Sequence, residues 1–110
     1  MAAPLDGIRI LEVANWLALP VAGALMADLG AEVIKVEPPG GDIFRGFDIR
    51  SFGYDYDFRT NYTFELGNRG KRSVTVALDK PGGPELVKRL AGDVDMINKN
   101  FHANRCLSIA

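Results

Sequence analysis

An α/β fold built on a parallel sheet follows from three observations in this 110-residue sequence. Two short β-branched runs, Ile8 to Val13 and Glu32 to Glu37, flank a stretch with helical spacing. A third strand-like run, Ser73 to Leu78, is followed by another helical pattern and a short apolar run, Val94 to Ile97. Strands that alternate with helices pair in parallel, because only a crossover connection returns the chain to the same sheet edge.

The first strand is bounded by Asp6-Gly7 and reads Ile-Arg-Ile-Leu-Glu-Val. Pro20 fits the first turn of the following helix, where its missing N–H is harmless. Val21, Ala24, Leu25, Asp28 and Leu29 keep a helical period, and Gly30 supplies the stop. Alanines and Gly23 let this helix lie close to the sheet. Pro38-Pro39-Gly40-Gly41 ends the second strand, and the pair implies a right-handed crossover. Pro81-Gly82-Gly83 opens the later helix, with Glu85 in its first turn and Leu86, Val87 and Leu90 on its apolar face.

Between Gly40 and Gly70 clean periodicity disappears. Phe44, Phe47, Phe52, Tyr54, Tyr56, Phe58 and Tyr62 argue against free disorder. A loop of this length signals function or packing on another body. The segment reads as an irregular excursion with a short helix near Thr60 to Leu66, docked on further chain or a partner, or packed over its own sheet.

Composition narrows the function classes. Apolar residues make up 47% and charged residues 25%, which suits a folded soluble domain. A net charge of −1 gives no bulk attraction to nucleic acid or anionic membrane. A lone cysteine, Cys106, provides no internal disulfide and fits a reducing compartment. The uncharged run Val13 to Ala27 is shorter than a membrane span and is interrupted by Pro20. Ala22-Gly23-Ala24 imitates a signal cleavage site, but Asp6 and Glu12 stand where a secretory leader is basic. Cytoplasm or an organelle matrix is the expected location.

Catalytic sets built on histidine are excluded, since His102 is the sole histidine and only Cys106 lies near it. No metal site is expected, and neither a dinucleotide fingerprint nor a Walker loop occurs. Asp55 and Asp57 form a poor carboxylate pair, two residues apart in a loop. Two features suit a phosphorylated ligand. Asn15 to Pro20 leads into a helix N-terminus, and is either an anion-binding turn or an ordinary connection with Trp16 in the core. Arg69, Lys71 and Arg72, reinforced by Lys80, either grip a phosphate or form a solvated loop offsetting upstream aspartates.

In series, several words resemble the family III CoA-transferases of the CaiB/BaiF type, a group including formyl-CoA transferase and α-methylacyl-CoA racemase. They are Pro4 to Glu12, Met26 to Asp42, Arg45-Gly46, Asn68-x-x-Lys71-Arg72-Ser73, Pro81-Gly82-Gly83 with Glu85-Leu86, Asp95-Met96-Ile97 and Asn100-Phe101. The resemblance implies a Rossmann-like domain with flanking helices, of which residues 1–101 form the N-terminal, CoA-binding part. It also implies a homodimer of interlocked subunits. CoA or acyl-CoA is then contacted by Leu17 and Ala18, by Val76, Ala77, Leu78 and Asp79, and by Asn100, Phe101 and His102, mostly through backbone groups.

The implied reaction moves CoA between carboxylic acids, through attack of an aspartate carboxylate on the thioester. In the racemases an aspartate and a histidine shuttle an α-proton instead. The long aromatic excursion favours the transferase. The family's aspartate falls beyond residue 110, so no catalytic residue is assigned. Leu17 and Leu19 replace the frequent glutamine and glycine, and Pro38 and Asp79 stand where a basic residue is common. Residues 102–110 depart from the expected Pro-Gly turn and read as an atypical tail, consistent with truncation or a frame shift near residues 99 to 102. A CoA-binding module without turnover and a non-functional fragment are the competing readings.

Overall fold

Four parallel strands in the order β3-β2-β1-β4 form the sheet of the computed structural model, which describes residues 1–47, 50, 53 and 61–100. The strands are β1 (Arg9–Val13), β2 (Glu32–Glu37), β3 (Arg72–Thr75) and β4 (Met96–Lys99). Helix α1 (Ala18–Asp28) links β1 to β2, α2 (Tyr62–Asn68) precedes β3, and α3 (Gly83–Ala91) links β3 to β4. The order steps outward from β1 to β3 and then crosses back to β4. The reversal point therefore lies between β1 and β4, beside the carboxyl ends of both strands.

Helices cover both faces, and strand alternation decides what each covers. Leu11, Val13 and Val36 face α3 and form a core with Val76 and Val87. Ile10 and Val33 pack on the other face with Ala31, against Met26 and Ala27 of α1. That face is apolar only at the amino ends of its strands. Toward the carboxyl ends, Glu12, Lys35 and Glu37 are buried beneath α1 and its surroundings.

β2 has the expected bounds, because Gly30, in a left-handed conformation at φ 103°, and Pro38 fix both ends. β3 is shorter than expected, ending at Thr75. Its partner β2 stops at Glu37, and Val76 N–H makes the last bond, to Glu37 O. The chain then turns so that Gly83 meets Ala77; a Cβ at Gly83 would lie 2.0 Å from the Ala77 carbonyl oxygen. β4 begins later than expected, since β1 sets the register through Ile10 opposite Met96, leaving Val94 to pack in the α3 core. α2 starts after Asn61, whose side chain accepts from Phe64 N–H, a cap that displaces the expected start at Thr60.

The calls on Phe52, Tyr54, Asp55, Tyr56, Asp57, Phe58, Thr60, Phe101, His102, Cys106 and the tail lie outside the described residues. Among the described aromatic residues, Phe44 is buried in a local cluster with Trp16 and Phe47. No helix among the described residues is long and apolar enough to cross a membrane.

Candidate functional site at the carboxyl edge

In a parallel sheet every strand ends on one edge, and that edge collects Leu17, Ala18, Ala77, Leu78, Asp79 and Asn100 among the expected site residues. Leu17 caps α1 directly after β1, and Ala18 begins the helix; both are exposed. Asn100 follows β4 across the reversal point. Its side chain accepts from Asn15 N–H at 3.2 Å and donates to Asn15 O at 2.8 Å, joining the two strand ends. Ala77, Leu78 and Asp79 follow β3 on the same edge, two strands from β1, or about 10 Å at the usual strand spacing. Val76 sits in the α3 core, with its N–H bonded to Glu37 O.

Helix α1 has no side-chain cap, and Ala18 and Leu19 N–H find no acceptor among the described residues. These donors and the helix dipole leave a small positive potential at the edge, suited to a polar or anionic group.

The Arg69-Gly70-Lys71-Arg72 cluster does not converge on one point, and only its two arginines are surface groups. Its cations diverge to three carboxylates. Arg69 pairs with Asp28 at 2.6 Å, Arg72 with Glu32 at 2.7 Å, and Lys71 turns inward to Glu12 at 2.8 Å. Consecutive residues entering a strand point to opposite faces, so Lys71 and Arg72 cannot share one ligand.

Lys71 joins a buried charged network that sequence reasoning missed. Its three N–H donors are shared among four groups within hydrogen-bond distance, Glu12, Pro20 O at 2.7 Å, Gly67 O at 2.9 Å and Asn68 Oδ1 at 3.0 Å, tying β1, α1 and α2 together. Register places Ser73, Lys35, Glu12 and Asn98 side by side across all four strands. Lys35 Nζ contacts Glu12 at 3.2 Å and donates to Ala14 O at 2.9 Å. Asp42 Oδ2 lies 2.8 Å from Lys35 Nζ, an ion-pair contact off the line of a hydrogen bond. Arg45 grips Glu37 through two 2.7 Å bonds, and Ser73 Oγ donates to the same carboxylate. Glu12, Glu37 and Asp42 thus balance Lys35, Lys71 and Arg45.

This balance decides the protonation states. Bonds from Arg45 hold Glu37 down at about 2, against the opposing effect of burial. Burial lowers the Lys71 ammonium below the usual lysine value, although the Glu12 bond acts the other way. A sequence signal for the network did exist. Inner strands of a parallel sheet are covered on both faces, so a charge inside one requires a partner. Pairing the two β runs in parallel sets Glu12 beside Lys35.

The network reaches the edge through the turn after β1. Asp42 Oδ1 accepts Trp16 N–H at 3.1 Å and Phe44 N–H at 2.9 Å. Asn98 Nδ2 donates to Leu19 O at 3.2 Å. Trp16 is 46% exposed, not a core residue, and its ring meets Phe44 and Phe47 edge-on at 5.3 and 5.7 Å.

Comparison with known proteins places this architecture. The model of CoA-transferase family III matches residues 5–108. The succinyl-CoA–D-citramalate CoA-transferase of Chloroflexus aurantiacus is 48% identical over 99 residues, covering 89% of this chain and 23% of that protein. A crystal structure of a hypothetical protein from Mycobacterium tuberculosis superposes with a TM-score of 0.83 at 37% identity, covering 99% of this chain and 29% of that one. A CaiB/BaiF family protein from Brucella suis gives 0.78 at 41% identity, covering 92% and 26%. The chain thus spans about a quarter of the length of the curated relatives it matches. A family match over nearly all its length, on the same parallel-sheet fold, means that the chain belongs to CoA-transferase family III.

Proposed function

We propose that this chain forms the CoA-binding portion of an acyl-CoA:carboxylate CoA-transferase, and that CoA lies along the carboxyl edge of the sheet. The observation that carries the reading is positional. Leu17, Ala18, Ala77 to Asp79 and Asn100 come from three separate strand ends and stand on that one edge, next to the reversal point. Phe101 and His102 continue the last of these segments in sequence. The open N–H groups of α1 supply donors for a polar edge of the cofactor, and the exposed Leu17 side chain supplies apolar contact.

In this reading the chain binds and orients the thioester, and the carboxylate that attacks it belongs to a part of the enzyme outside these residues. A homodimer in the cytoplasm or an organelle matrix is the setting expected for the whole enzyme.

Leu17→Asp tests the reading, because it separates stability from binding. An aspartate at this cap position should stabilise α1 by about 1 kcal/mol. The same charge should weaken CoA binding about tenfold, since it would occupy the helix donors and repel the phosphates. Thermal melts and calorimetric titration of CoA read the two effects. Unchanged affinity in a stabilised variant removes α1 from the site. Failure of the unaltered chain to bind millimolar CoA sinks the reading as a whole.

A further inference from the structure

The turn that carries Leu17 and Ala18 is held in a conformation its own residues disfavour. Trp16 has φ 72°, and it is the sole positive-φ residue other than glycine among the described residues. A bulky side chain in the left-handed region is strained by about 1–2 kcal/mol, and such a conformer persists only where its surroundings impose it.

The surroundings are specific. Side chains from three other segments hold the backbone of residues 14 to 16: Lys35 at Ala14 O, Asn100 at both polar groups of Asn15, and Asp42 at Trp16 N–H. Asp42 accepts the strained residue's N–H, and it is itself fixed by its ion pair with Lys35 and by its own N–H donating to Glu37 at 2.9 Å. Phe44, whose N–H bonds to the same Asp42 oxygen, packs its ring against the Trp16 ring. One carboxylate thereby holds the backbone of both Trp16 and its edge-on ring partner Phe44.

We infer that Asp42 is a positioning residue: it locks Trp16 in the left-handed conformation and so aims the α1 N-terminus at the CoA site. The inference rests on the CoA reading of this edge. Removing Asp42 alone would leave Lys35 and Lys71 sharing the single carboxylate of Glu12, so the informative variants keep charge balance. Lys35→Met/Asp42→Asn retains an acceptor oxygen for Trp16 N–H; Lys35→Met/Asp42→Ala does not. With CoA titrated calorimetrically, the alanine variant should bind about tenfold more weakly than the asparagine variant, about the factor that 1.4 kcal/mol of strain yields.

Repeating both in a Trp16→Gly background should shrink that ratio to about twofold or less, because glycine adopts this φ unaided. A ratio near one with Trp16 present, or an equal ratio in both backgrounds, overturns the inference. NMR couplings that report φ at residue 16 supply a readout independent of CoA. They should show positive φ in the asparagine variant and its loss in the alanine variant; retained positive φ in both overturns the lock even if CoA does not bind. Absence of CoA binding by the unaltered chain, with the φ difference intact, would instead fault the site assignment.

Discussion

Lys71→Met should be among the most damaging single substitutions on the α1 face, although it replaces a lysine in a sequence rich in cations. The Lys71 side chain is 2% exposed and its partner Glu12 is 0% exposed. Removing one member of a buried pair costs about 3–5 kcal/mol, since the remaining charge keeps its desolvation penalty. Two facts adjust that range in opposite directions. Lys35 Nζ, 3.2 Å away, still partly compensates Glu12. Pro20 O, Gly67 O and Asn68 Oδ1 lose their donor, at a fraction of a kcal/mol to about 1 kcal/mol each. The expected loss is about 4 kcal/mol, or a fall in Tm of about 20 °C for a domain of this size. Urea and thermal unfolding followed by far-ultraviolet circular dichroism would measure it. Adding Glu12→Gln should recover about 2 kcal/mol by neutralising both partners together. Arg72→Met is the control. It removes the neighbouring cation, whose side chain is 76% exposed in its pair with Glu32, and should cost under about 1 kcal/mol. Equal losses at Lys71 and Arg72, or strictly additive losses in the Glu12–Lys71 pair, would refute the reasoning.

Two further substitutions probe the same network. Gly23→Ala should destabilise by about 2 kcal/mol or more, reversing the gain of about 1 kcal/mol that alanine normally brings inside a helix. A Cβ there would sit 2.1 Å from Glu12 Oε1, so an unfolding curve at or above that of the unaltered chain contradicts the packing. Acid should weaken the fold through Glu37. Its folded value near 2 lies below its usual 4.5, so its contribution is complete above about 4.5 and vanishes as pH falls through about 2. The difference corresponds to about 3 kcal/mol, which the half-exposed Arg45 partner (46%) reduces to about 1.5 kcal/mol. Glu37→Gln should flatten that part of the pH profile, and parallel profiles for the two proteins between pH 4.5 and 2 would remove Glu37 as the cause.

The parts of the fold legible in the sequence are those fixed by local chemistry. Gly30 and Pro38 bound β2 correctly, because one supplies a left-handed stop and the other cannot extend a ladder. Strand limits set by a distant partner were not legible. Thr75 ends β3 because β2 runs out at Glu37, and no property of Val76 or Ala77 announces it. The cationic run shows the same limit more sharply. Arg69, Lys71 and Arg72 look alike in one dimension, and only the strand they enter separates a buried ammonium from two surface guanidiniums.

The buried charges also explain how this edge accommodates apolar residues in the turn after β1. Leu17 and Leu19 offer no hydrogen-bonding side chains, yet the turn that bears them is held at Ala14 O, Trp16 N–H, Leu19 O and Pro20 O. Each of those contacts comes from a charged or amide side chain on β2, β4 or the segments beside β2 and β3. Such an arrangement separates two tasks. Backbone groups of the turn remain for a ligand, and the side chains that orient them stay buried, away from solvent competition. The turn's side chains can then vary in polarity without altering the direction of its donors, whereas Asp42, Lys35 and Lys71 cannot change charge singly without unbalancing the buried charges beneath α1.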